Sequence, residues 1–182
     1  MFKKIVLITL ATIVVIVAVF AGIVALQPAD FRIERKATIA APQAVVFAQV
    51  NDFHNWEAWS PWAKLDPKAK NTFEGPSAGT GAIFKWSGND EVGEGMMTVT
   101  ESKPSELIKI KLDFVRPFED TSNVEFTFKA EGDQTVVTWA MIGRKGFVSK
   151  AVCMFMDMDK MLGGQFDQGL ASMKAAAEAK KK

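Results

Sequence analysis

The chain is poor in the residues that carry most metal and redox chemistry, with one cysteine, Cys153, and one histidine, His54. A single cysteine excludes an intramolecular disulfide and any multi-cysteine metal site, and a single imidazole excludes a histidine-rich zinc site. Charge of one sign is lacking too. Against 21 Asp+Glu stand 22 Lys+Arg, of which Lys3 and Lys4 precede an apolar leader that all the acids follow, leaving 20 basic groups in the body. A neutral to slightly acidic body argues against nucleic acid as a partner. There is no GxGxxG phosphate loop, because VGEGMM (92–97) falls inside a strand pattern. At 182 residues the chain suits one well-packed core plus an appendage. No cofactor and no metal are expected.

What is present begins with residues 5–26, IVLITLATIVVIVAVFAGIVAL, an uncharged stretch of 22 residues behind Met-Phe-Lys-Lys. As a helix it would span about 33 Å, enough for a hydrocarbon core of ~30 Å. The rival reading is a cleaved signal peptide, but the run exceeds the usual ~7–15 residues and offers no Ala-x-Ala site between Ala18 and Ala29. The expectation is a single-pass anchor at 1–27, with residues 28–182 facing the periplasm or cell exterior, or else a secreted form after cleavage.

Beyond the leader, FRIERKATI (31–39) alternates as a strand, and Ala41-Pro42 stops it, with PQAVVFAQV (42–50) read as a short helix that has Pro42 in its first turn. NDFHNWEAWSPW then places three of the five tryptophans at positions 56–62. Strands are predicted near 69–74, 81–87, 91–102, 105–115, 120–131 and 133–143, with Phe84, Trp86, Met97, Phe114, Phe126 and Trp139 on the apolar parity. Gly132-Asp133 marks a tight hairpin. From about Gly146 to Ala179 the larger apolar residues Phe155, Met158, Leu162, Phe166, Leu170 and Met173 recur every three or four positions, which predicts one long amphipathic helix. Its tail, Lys174–Lys182, should fray. The fold class is α+β, with a curved antiparallel sheet wrapped around the long C-terminal helix.

The strand ending in Ala-Pro, followed by VVFAQVNDFHNWEAWSPW, VGEGMMTVTES, FEDTSNVEFTF, TVVTWAMIG and MDKMLGGQFDQGLASMK, resembles the polyketide cyclase/dehydrase-like branch of the START/SRPBCC superfamily over residues 31–177. The resemblance implies a helix-grip fold with a deep apolar cavity between sheet and helix. It does not imply one activity, since the superfamily includes cyclases, hydrolases, lipid carriers and regulators.

Within that expectation the candidate ligand contacts are Trp56, Trp59, Trp62, Phe84, Trp86, Met97, Phe114, Phe126, Trp139, Phe155, Met158 and Leu162. The bland alternative is that the tryptophans plug one end of the fold as core. Gly163-Gly164 inside the helix points to close packing or to a bend. No catalytic residue is assigned. His54 beside Asp52 reads as a surface or capping residue, and the carboxylates at 91, 94, 101, 113, 119 and 120 lie at turns or on the wet parity. The leading reading is a monomeric, membrane-tethered module binding a small hydrophobic or lipid-like molecule. A cyclase or dehydratase and a protein-interaction domain with a filled core are the alternatives.

Overall fold

The computed structural model describes residues 2–179. Its elements run α1 (Phe2–Leu26), β1 (Asp30–Ile39), α2 (Gln43–Asn51), two short 3₁₀ turns (Phe53–Ala58 and Pro61–Lys64), β2 (Lys70–Glu74), β3 (Ile83–Ser87), β4 (Glu94–Lys103), β5 (Leu107–Arg116), β6 (Asp120–Glu131), β7 (Gln134–Arg144), α3 (Phe147–Cys153) and α4 (Met158–Ala179). The chain divides into two compact units. One holds the N-terminal segment through Phe31 together with Arg144–Met158, and the other holds Arg32–Gly143 together with the segment from Asp159 onward.

The larger unit is built on a seven-stranded sheet in the order β1-β7-β6-β5-β4-β3-β2. Strands β2 to β7 pair antiparallel with their sequence neighbours, and β1 forms the far edge beside β7. The alternation explains which side is covered. Met97, Val99, Ile108, Ile110, Leu112, Val124, Phe126, Phe128, Val137, Trp139 and Met141 are all buried, while Lys111, Asn123 and Lys129 between them are exposed. Glu131 pairs with Gln134 across a two-residue turn in which Gly132 takes φ of 61°, a conformation a side chain resists.

Helix α4 covers that apolar side. Phe166 stacks on Trp139 with ring centroids 4.1 Å apart and an interplanar angle of 11°. Gly169 lets the two elements approach, because a Cβ there would stand 2.7 Å from Trp139 Cζ3 and 3.2 Å from Pro61 Cδ. Six residues earlier Gly163 is buried beneath the Arg35 guanidinium, with no room for a Cβ, whereas Gly164 faces open space. The glycine pair thus reflects close packing at its first member.

Two sequence expectations are corrected here. The C-terminal helix is not continuous from Gly146, since α3 ends at Cys153 and a turn through Met154–Met156 separates it from α4. Asp157 stands just before α4, where Asp is favoured as a cap, so the pattern held two helices with nearly matching phase. Phe155 consequently leaves the stripe and is 80% exposed. The tail also packs further than expected. Ala177 is fully buried, Glu178 Oε1 accepts the Ala40 amide at 2.8 Å, and Lys174 Nζ donates to the Thr38 carbonyl at 3.0 Å. Residues 180–182 of that tail lie outside the described residues.

The two adjacent glycines should respond oppositely to the same change. Gly164→Ala should raise stability by about 0.5–1 kcal/mol through helix propensity, and Gly163→Ala should lower it by about 1–3 kcal/mol by displacing Arg35. Denaturant titration in mild detergent, followed by tryptophan fluorescence, measures both.

Candidate ligand-binding face

The inner face of the large unit carries two aromatic groups joined by Phe53. The first is a closed cluster. Trp59 meets Trp56 at 4.6 Å, Trp139 at 5.6 Å and Phe126 at 6.2 Å, and Trp62 meets Trp139 at 5.9 Å and Phe166 at 6.4 Å. The indole N–H of Trp56 donates to the Val50 carbonyl at 3.0 Å and that of Trp59 to the Gln49 carbonyl at 2.9 Å. Their acceptors lie at the C-terminal end of α2, whose last carbonyls have no helical partner of their own. Trp56 in the first 3₁₀ turn and Trp59 at its C-terminal cap therefore dock that turn onto α2, with both polar handles used inside the fold. Trp62 remains half-buried.

The second group is open. Phe84 lies 6.0 Å from Phe53, 5.3 Å from Phe73 and 5.9 Å from Trp86, and Trp86 meets the edge of Phe114 at 5.9 Å. Phe84, Trp86 and Phe114 are each half-buried, and Phe73 is 42% exposed. Gly95 sets this geometry. It pairs with Trp86 on one side and Phe114 on the other, and a Cβ would meet the Trp86 ring at 2.5 Å. The second glycine of VGEGMM thus seats an indole, whose N–H reaches the Val92 carbonyl at 2.9 Å.

The interior also holds polar side-chain atoms without partners. Ser122, 1% exposed on β6, points inward by parity with Val124 and Phe126, and its Oγ has no hydrogen-bond partner among the described residues. It sits opposite Leu112 on one neighbouring strand and Gly143 on the other, so one flank carries no side chain. Trp139 Nε1 and Gln49 Oε1 are likewise buried and unpaired. A buried unpaired polar atom costs about 1–3 kcal/mol, which makes these positions exceptional in an otherwise apolar interior.

The site residues read from sequence therefore separate. Trp56, Trp59, Trp62, Phe126 and Trp139 come together in the closed cluster, and Phe84, Trp86 and Phe114 in the open one. Met97 is buried opposite Phe84 across β3 and β4, and Leu162 is half-buried on α4. Phe155 and Met158 belong to the smaller unit, where Phe155 stacks on Phe20 with centroids 6.4 Å apart and Met158 Sδ accepts the Cys153 thiol at 3.0 Å.

Sequence reasoning missed Ser122 and Arg35. Both sit on the apolar parity of their strands, Arg35 between Ile33 and Ala37, and a polar residue in that register was the available signal. Arg35 crosses α4 to Asp159 Oδ2 at 2.9 Å and Asp167 Oδ2 at 3.3 Å, and donates to the Asp159 carbonyl at 3.0 Å. The guanidinium hydrogen bond holds the Asp159 carboxyl below its ordinary range. Lys109 and Lys103 do the same for Glu101. For Asp113 burial pushes upward, but hydrogen bonds from Thr121 and Lys111 outweigh it and the carboxyl is lowered. His54 is half-exposed, with Nδ1 2.7 Å from Asp52 Oδ1 and its ring stacked 4.0 Å from Phe73. Asp52 also accepts the His54 amide, capping the first 3₁₀ turn. Among the described residues no group of three or more His, Cys, Asp and Glu gathers as a metal site.

A curved antiparallel sheet closed over by a C-terminal helix, with an aromatic interior, defines a helix-grip domain. The chain belongs to the family described as polyketide cyclase/dehydrase and lipid transport, whose model matches residues 30–178. Solved structures agree on the fold. A solution structure from Thermobifida fusca has 20% identity and a TM-score of 0.60, covering 80% of this chain and 92% of that one. The Aha1 dimer from Colwellia psychrerythraea has 17% identity and a TM-score of 0.59, covering 84% and 99%. A protein from Chromobacterium violaceum has 14% identity and a TM-score of 0.58, again covering 84% and 99%. No curated protein matches the sequence.

The Arg35–Asp159 pair gives a pH test. With its folded pKa depressed, Asp159 contributes stability that is fully present above the unfolded carboxyl value near ~4 and is lost as pH falls through the folded value. The stability difference between wild type and Asp159→Asn should therefore be present at neutral pH and disappear as pH drops from about 5 to 2. Denaturation curves across that range measure it.

Proposed function

We propose that this chain is a membrane-tethered binding module that holds a small hydrophobic or lipid-like molecule carrying at least one hydrogen-bonding group. The carrying observation is Ser122 Oγ, buried and unpaired on a face that is otherwise largely Leu, Ile, Val, Met, Phe and Trp. A protein core gains nothing from a hydroxyl in that position, whereas a bound molecule with a carbonyl, carboxyl or hydroxyl would satisfy it. Phe84, Trp86 and Phe114 supply half-open aromatic surface for the apolar part. The family membership supports the same class of ligand.

In this reading residues 1–27 are the anchor, and α1 is long and apolar enough to cross a membrane. Residues 28–182 form the binding domain on the far side, facing the periplasm or cell exterior, and act as a monomer. The closed cluster favours a second reading in which the interior is core throughout, since Trp59, Trp139 and Phe166 are packed ring on ring and almost wholly buried. Ser122→Ala separates the two. If the hydroxyl meets ligand, the variant should bind a fluorescent fatty acid about 3- to 10-fold more weakly while its stability holds or rises by up to ~1 kcal/mol. Wild-type protein that binds neither a fluorescent fatty acid nor a naphthalene dye would sink the carrier reading and leave the filled core.

A further inference from the structure

The smaller unit leaves a dense apolar surface unexplained by ligand binding. In and after α3, Phe147, Val148, Val152, Phe155 and Met156 are 53%, 69%, 47%, 80% and 47% exposed. So many large apolar side chains open to water within ten residues mark an interaction surface, because soluble surfaces rarely expose contiguous apolar patches. Their placement against α1 says what covers them. Helices α1 and α3 are in contact, and two contacts mark heights along α1. Lys150 Nζ donates to the Ala25 carbonyl at 3.1 Å, and Phe155 stacks on Phe20. Ala25 and Phe20 are five residues apart, so the second contact lies about 7.5 Å further down the α1 axis.

We propose that Phe147–Met156 is a second membrane-contacting element, seated in the same leaflet as the C-terminal end of α1. This rests on the reading of α1 as a span. Given that span, the Ala25 height is the hydrocarbon boundary, where an ammonium paired with one of the last helical carbonyls is favoured. The Phe20 height lies below it, within the ~5–10 Å to which interfacial apolar faces insert. The segment thus descends from a cation at the boundary to an aromatic side chain in the acyl region. A phospholipid bilayer is the occupant this gradient fits, because the exposed apolar side chains continue the lipid-facing surface of α1, whose Ile13, Ile16 and Val19 are more than half exposed.

The test uses the full chain with Cys153→Ser and single cysteines introduced by Phe155→Cys, Val148→Cys, Ile13→Cys or Thr72→Cys. Each is labelled with an environment-sensitive fluorophore and reconstituted into phosphatidylcholine vesicles containing acyl-chain nitroxide lipid. The label at 155 is expected to be blue-shifted and quenched within about twofold of the label at 13, the label at 148 to be quenched more than the label at 72 and less than that at 155, and the label at 72, on exposed β2, to stay unquenched. Quenching at 155 and 148 no greater than at 72, with 13 quenched, overturns the proposal and leaves the span standing. Blue-shifted labels at 155 and 148 that lipid nitroxide fails to quench also overturn it, by showing a protein cover such as a second copy. Absence of quenching at 13 removes the span and the proposal together.

Discussion

The face-to-face stack of Trp139 on Phe166 is the contact on which the large unit depends. A sheet whose inner side is this aromatic cannot stand in water, and α4 is the element long enough to cover it. The stack requires short approach, which Gly169 permits, and it fixes where along β7 the helix crosses. Once that crossing is set, Trp59 and Trp62 must close the end beside it, because their edges meet Trp139. Arg35 then fixes rotation and tilt one and a half turns away, bridging Asp159 and Asp167 across the buried Gly163. Each aspartate is more than half exposed, so these pairs contribute more to geometry than to net stability.

The sheet was legible in the chain because its signal is purely local. Period-two alternation placed β1 and β3 to β7 within a few residues, and Gly132-Asp133 named the tightest turn. Features that depend on phase between elements were hidden. Two helices separated by a short turn keep nearly the same apolar spacing as one, so α3 and α4 read as continuous, and only the type of residue at Asp157 hinted otherwise. Arg35 was hidden for the opposite reason: one charged residue in an apolar register looks like an interruption until the helix bearing Asp159 and Asp167 is brought across it.

The candidate site was legible as a set of aromatics and not as a division of labour. Inward parity applies equally to a ring that is packed and a ring that is open. The hydrogen bonds separate them: Trp56 and Trp59 place their N–H groups on α2 carbonyls, which consumes their recognition capacity, whereas Trp139 Nε1 and Ser122 Oγ face the interior unpaired. Such bookkeeping needs three-dimensional neighbours, and no spacing rule supplies it.

The chemistry available at that interior bears on whether it binds or transforms. On the apolar parity of the strands its unpaired groups, a serine hydroxyl and an indole N–H, are neutral, whereas the unpaired buried Asp113 Oδ2 lies on the opposite parity of β5. Glu34, Glu101 and Asp159 have carboxyls held low by neighbouring lysines and arginines and lie in ion pairs on strand or helix surfaces, while for Asp113 burial pushes upward and Thr121 and Lys111 hold the carboxyl low. In the proposed carrier reading, the Ser122 hydroxyl and the Trp139 N–H are the neutral groups that would meet the polar end of an apolar ligand.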